Sequence, residues 1–114
     1  MHELSIALSL VDLAQEEAER HGGRVCAVHL RLGEMAGVVK EALLSSYEMA
    51  SADTPLAGSR LVIEDVPVIV FCPSCDALRP IHSVQLFSCS ECGTATPDIR
   101  QGKELELVAM EIES

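Results

Sequence analysis

Between residues 72 and 93 the chain reads Cys72-Pro73-Ser74-Cys75, then thirteen residues, then Cys89-Ser90-Glu91-Cys92-Gly93. Each Cys-x2-Cys pair presents two thiolates from one tight turn, and four thiolates suit the tetrahedral preference of Zn(II). The gap is slightly shorter than the commonest zinc-ribbon spacing, yet Arg79 to Phe87 can supply a short hairpin between the two turns. Gly93 behind the second pair and Asp76 behind the first both tolerate the left-handed backbone such turns use. With all four positions filled by protein, the metal would have no open site for substrate, so its role is expected to be structural. An iron–sulfur cluster and a pair of redox dithiols are the competing readings. The redox reading expects one Cys-x-x-Cys opening a helix, whereas both pairs here lie in proline- and glycine-punctuated loops.

Outward from the cysteines, residues 67–102 hold four of the five cysteines and four of the five prolines. Their main apolar stock is Phe71, Leu78, Ile81, Val84 and Phe87, too little for a self-sufficient core, so metal binding would supply much of the folding free energy. The flanking sequence is different in kind. From Glu3 to Arg20, Leu4, Ala7, Leu8, Val11, Ala14 and Ala18 recur at helical spacing, and His21-Gly22-Gly23 closes the helix. Arg24 to Leu32 alternates, with Cys26, Val28, Leu30 and Leu32 on the apolar face. A second helix carries Val39, Leu43, Ser46, Tyr47 and Ala50 and stops at Thr54-Pro55, and a strand then turns Leu61 and Ile63 inward. In the last strand the apolar positions change phase after Leu105 and Leu107 to Val108, Met110 and Ile112, which predicts a bulge near Val108. The expected class is α+β: two helices packed on a small antiparallel sheet, with a zinc-ribbon module inserted between strands. Residues 1–66 with 103–114 form the discontinuous main domain, and 67–102 form the module.

The 114 residues carry 18 Asp and Glu against 8 Lys and Arg, a formal net charge of −10. Binding through phosphates needs clustered basic residues, so nucleic acid and anionic membrane are poor partners. Aromatics are only 3% of the chain, which leaves no platform for stacking bases. Within the module, Asp76, Glu91 and Asp98 balance Arg79, Arg100 and Lys103, so a nucleic-acid-binding ribbon is a weak alternative. No apolar run is long enough to span a bilayer and no secretion signal opens the chain, which points to the cytoplasm. In that compartment cysteines serve as metal ligands or core residues rather than disulfides. No phosphate loop and no nucleophile–base order supports an enzyme, so no catalytic residue is assigned.

Met1-His2-Glu3 has two readings. One is an ordinary terminus with an accidental histidine. In the other, the Met1 amine, the His2 backbone amide and the His2 imidazole close five- and six-membered chelate rings around one metal, a nitrogen set that suits Ni(II) or Cu(II). His2 disfavours removal of Met1, which would keep the amine donor in place.

Met1-His2-Glu3-Leu4-Ser5, the amphipathic helix, the strand ending in Leu32-Gly33, both cysteine pairs, and Gly102-Lys103-Glu104-Leu105 before Ile112-Glu113 occur in one order. Together they resemble the HypA/HybF family of hydrogenase-maturation nickel chaperones over essentially the whole chain. The resemblance implies a nickel carrier, not an enzyme, with Ni(II) as transient cargo on Met1, His2 and the Glu3 amide. It also implies structural Zn(II) on Cys72, Cys75, Cys89 and Cys92. The implied partners are a HypB-type GTPase and the large subunit of [NiFe]-hydrogenase, with urease maturation proteins in some members, and the chain would act as a monomer or homodimer. Asp76 departs from the glycine often found there, which bears on the local turn and not on the ligands. Cys26 is expected to be a buried hydrophobe, His21 to sit at a helix end, and His29 and His82 to be strand and loop residues without a metal role.

Overall fold

A computed structural model describes residues 2–83 and 85–113. Two helices and seven strands follow in the order α1 (Glu3–His21), β1 (Arg24–Gly33), α2 (Lys40–Ser51), β2 (Arg60–Val66), β3 (Ile69–Cys72), β4 (Ala77–Ser83), β5 (Leu86–Cys89), β6 (Ile99–Gln101) and β7 (Leu105–Glu113). The chain divides into two compact units: residues 1–30, 37–64 and 106–114, and residues 31–36 with 65–105.

The first unit is built on its helices. Gly22 takes φ +70° and donates its N–H to the Ala18 carbonyl at 2.8 Å, which ends α1 at the predicted His21-Gly22 signal. α1 buries Ala7, Leu10, Val11 and Ala14, whereas Leu4 and Leu8 stay 44% and 49% exposed. The apolar stripe is therefore rotated from the expected one. Ile6, Leu8, Leu10 and Leu13 make this helix apolar around much of its circumference, so spacing alone does not select which face meets α2. α2 buries Leu43, Ser46 and Tyr47 as expected, and the Tyr47 hydroxyl reaches Ser59 Oγ at 2.7 Å, which satisfies the polar end of a buried ring. Leu30, Leu43 and Leu56 are fully buried in the same core, each worth about 2 kcal/mol in area removed from water. Leu61 and Ile63 of β2 and Leu107, Met110 and Ile112 of β7 pack against it.

The strand order is β2-β1-β7. Cys26 contacts Glu113 and His29 contacts Glu111, so β1 and β7 run in opposite directions. In β7, Leu107 and Met110 face the core while Val108 and Ala109 are both exposed, so the phase changes near Val108, but Val108 itself, expected with Met110 and Ile112, lies outside the core. β1 has one too. Val25 and Ala27 are buried, then Val28, Leu30 and Leu32, so two consecutive residues are inward. Cys26 falls outside the core as a result, contrary to the simple alternation expected from Arg24 to Leu32.

The second unit holds a four-stranded sheet in the order β5-β4-β3-β6 whose neighbouring strands are all antiparallel. Leu32, Val66, Val68 and Val70 are its buried aliphatic residues, beside Cys72 and Cys89. Residues 31–36 belong here because their backbone is bonded here: Gly33 N–H to the Glu104 carbonyl at 2.7 Å, Glu34 N–H to Val66 at 3.0 Å and Met35 N–H to Gly102 at 2.7 Å. Glu34 in turn accepts from Val68 N–H at 2.9 Å.

Candidate metal centre

β3 ends at Cys72 and β5 at Cys89, so each antiparallel hairpin delivers one cysteine at a strand end and a second three residues on. Asp76 takes φ +51° and Gly93 φ +77°, which gives both turns the left-handed residue foreseen behind each pair. In the first turn Cys75 N–H points at Cys72 Sγ, 3.4 Å away; in the second, Glu91 N–H points at Cys89 Sγ at the same distance. Backbone amides aimed at sulfur favour thiolates over thiols.

The four sulfurs lie within 4.8 Å of one another. Cys72 and Cys92 are 3.5 Å apart and Cys75 and Cys89 3.9 Å. A tetrahedron of sulfurs with Zn–S bonds of about 2.3 Å has edges of about 3.8 Å, so the donor set fits Zn(II) in number, element and spacing. Among the described residues this is the only such cluster, and His82 is not part of it.

The four sulfurs are electrostatically unequal. The Thr94 hydroxyl and backbone, with Cys72 beyond them, bring the Cys92 thiol down to about 6. Its hydrogen bond with Cys92, together with desolvation, pushes Cys75 up to about 12. Cys89 is lowered, chiefly by the Cys92 backbone N–H. Cys92 and Cys89 are thus drawn toward the thiolate and Cys75 toward the thiol, a difference that a divalent cation overrides because its charge favours every ligating thiolate at once. The Arg79 guanidinium acts on Cys75 in the opposite direction and favours its thiolate. Arg100 does not offer a free charge: it forms two 2.8 Å bonds to Asp98 and lies over the Phe71 ring at 5.0 Å.

Of the N-terminal donors, Met1 lies outside the described residues. His2 is exposed, has extended backbone (φ −86°, ψ 97°) and directly precedes α1. Its carbonyl accepts from Ile6 N–H at 3.2 Å, whereas the first N–H groups of a helix have no partner in the ladder. Glu3 Oε2 accepts from Val39 N–H at 3.2 Å. That bond, followed by one from its own N–H, holds the Glu3 carboxyl below its ordinary value.

Cys26 stands apart from both clusters. Its thiol donates to Glu113 Oε2 at 3.4 Å, and the adjacent carboxylate raises it, which disfavours the reactive thiolate. His29 pairs with Glu111 at 2.7 Å, and His21 lies 3.8 Å from Glu17. Sequence reasoning passed over Thr94 and Ser74. Their only signal is position, one inside the first cysteine turn and one just behind the second.

The comparisons with known proteins agree with this geometry. Residues 1–112 match the family model described as "Hydrogenase/urease nickel incorporation, metallochaperone, hypA". A hydrogenase maturation factor HypA of Roseiflexus sp. (strain RS-1) is 51% identical over 114 residues, covering 99% of this chain and 93% of the relative. A hydrogenase maturation factor HypA of Chloroflexus aurantiacus is 50% identical over 112 residues, covering 97% and 98%. The fold matches a solution structure of a HypA protein with a TM-score of 0.72 at 25% identity, over 99% of this chain and 97% of the other. It also matches the solution structure of the Ni metallochaperone HypA from Helicobacter pylori with a TM-score of 0.66 at 25% identity, over 98% and 97%. With matches that run through both compact units, in sequence and in fold, the chain belongs to the HypA/HybF family of hydrogenase maturation factors.

Proposed function

We propose that this chain is a non-enzymatic, cytoplasmic nickel carrier. It binds Ni(II) through the Met1 amine, the His2 backbone amide and the His2 imidazole, and passes it on by ligand exchange. The single observation that supports this most is the family match over residues 1–112, which begins at the Met1-His2-Glu3 triplet. The exposed, extended backbone of His2 supports it further: its imidazole and amide lie on the same short segment ahead of the helix ladder. Glu3 is the natural fourth donor, at a cost. Its amide must lose a proton that now bonds the Glu3 carboxylate. Because amide and imidazole donors bind metal only after deprotonation, affinity falls as pH falls. Recipients are the large subunit of [NiFe]-hydrogenase, with a HypB-type GTPase in the transfer, and urease as the other destination in the family description.

In this reading Cys72, Cys75, Cys89 and Cys92 hold Zn(II), which fixes the fold of residues 67–102, while residues 1–66 with 103–114 carry the nickel site. The zinc supplies a charge and geometric constraint and takes no part in a chemical step. A nucleic-acid role for the ribbon is disfavoured by the net charge of −10 and by the commitment of Arg100 to Asp98. No described helix is long and apolar enough to cross a membrane.

Calorimetric titration of Ni(II) into chain that starts at Met1, beside His2→Ala and a variant with residues added before Met1, tests the site. The expected result is stoichiometric binding lost in both variants. Unchanged affinity in either would overturn the N-terminal site.

A further inference from the structure

Thr94 Oγ1 lies 3.1 Å from Cys92 Sγ and 3.0 Å from Ser74 Oγ. This row of three atoms joins the two cysteine turns, since Ser74 stands inside the first pair and Thr94 directly follows Gly93 behind the second. The connection matters because the four sulfurs differ in access: Cys72 and Cys89 are fully buried, Cys75 is intermediate, and Cys92 is exposed. An incoming chelator or alkylating agent meets Cys92 first.

We propose that Ser74 and Thr94 form a hydroxyl clasp that closes the two turns on one another and shields the exposed ligand Cys92, slowing metal release. It rests on the reading of the four cysteines as a zinc site. The direction of the hydrogen bonds then follows from chemistry. A metal-bound thiolate has no proton to give, and a threonine hydroxyl has one. Thr94 therefore donates to Cys92 and accepts from Ser74, so its only proton points at the sulfur. A hydrogen bond to a ligating sulfur withdraws electron density that an electrophile would otherwise attack, and outer-shell partners of this kind commonly change metal retention substantially. Ser74 keeps Thr94 pointed that way, because its proton occupies the Thr94 lone pair. Thr94 and Ser74 are positioning residues acting through Cys92; neither is a ligand.

The test uses the full chain loaded with zinc, with metal content measured before each experiment. Thr94→Val keeps the β-branched shape and removes the hydroxyl, Thr94→Ser keeps the hydroxyl, and Ser74→Ala cuts the far end. Excess EDTA is added and residual protein-bound zinc is followed after rapid desalting. Thr94→Val is expected to release zinc about tenfold faster than the parent and Ser74→Ala to fall between them. Thr94→Ser is expected to match the parent, and the double variant to be no faster than Thr94→Val, since Ser74 acts only through the Thr94 hydroxyl. Iodoacetamide labelling mapped by mass spectrometry should find Cys92 modified first, and faster in Thr94→Val. Equal release and labelling in parent and Thr94→Val, each carrying one zinc, would overturn the clasp while leaving the zinc site standing. A parent chain that takes up no zinc would overturn the zinc site and the clasp together. If Thr94→Val fails to fold, Ser74→Ala decides on the same readouts, and release at the parental rate overturns the clasp.

Discussion

The carboxylate of Glu3 accepts a hydrogen bond from the backbone N–H of Val39, Oε2 to N 3.2 Å, so the first residue of α1 caps the N-terminus of α2. Val39 precedes α2 and has no side-chain oxygen of its own to satisfy that helix, and Glu3 supplies one from 36 positions away. The arrangement holds the start of α1, which His2 directly precedes, against a second element.

Loss of this cap should be visible in thermal unfolding. Glu3→Ala is expected to lower Tm by a few degrees, with Glu3→Gln between it and the parent. The folded-state pKa of Glu3 lies below its unfolded value. Its contribution is therefore complete above the unfolded value and is lost as pH falls through the folded one. The difference in Tm between parent and Glu3→Ala should be full at pH 7 and shrink below about pH 4. A difference that stays constant across that range would show that the carboxylate is not the cap.

Removal of the metal should act on one unit. The buried aliphatic residues of the second unit are few, and Cys72 and Cys89 are buried among them. Cys89→Ser is expected to abolish stoichiometric zinc and to melt β3 to β6, read as collapse of amide dispersion for residues 65–105 in NMR spectra. The α1–α2 core contains none of the four cysteines and should keep its signals.

The rotated face of α1 gives a direct comparison. Leu10 is 6% exposed and Leu8 49%. Leu10→Ala should cost about 2–4 kcal/mol in chemical denaturation, and Leu8→Ala no more than about 1 kcal/mol. The reverse order would restore the stripe read from the sequence.

Gly33 has no room for a side chain. A Cβ there would overlap the Gly102 carbonyl oxygen and sit 2.7 Å from Glu104 N, both backbone atoms that cannot swing aside. Gly33→Ala is expected to break the Gly33 N–H bond to Glu104 and the Met35 N–H bond to Gly102, with protection from hydrogen exchange lost at residues 33 and 35. Gly37→Ala meets no neighbouring atom but is strained by φ +75°, so it should lower stability without opening those amides.

Local chemistry made much of this protein legible in one dimension. Two Cys-x2-Cys turns with a hairpin between them bring four sulfurs together because the ligand pairs are adjacent in sequence and the turn residues, Asp76 and Gly93, are the types such turns require. The end of α1 was readable at Gly22 for the same reason, and the two helices were readable from their periodicity. Where two choices were nearly equal in local energy, tertiary packing decided. The face of α1 was such a choice, because its apolar residues span too wide an arc. In β1 the adjacent inward pair Ala27–Val28 breaks the alternation that placed Cys26 inside. The hydroxyl row from Ser74 through Thr94 to Cys92 was beyond sequence altogether, since hydrogen bonds between residues twenty apart exist only once both turns are folded. The residue types therefore determined which atoms can hold a metal, and only the folded chain decided which of those atoms is exposed and what guards it.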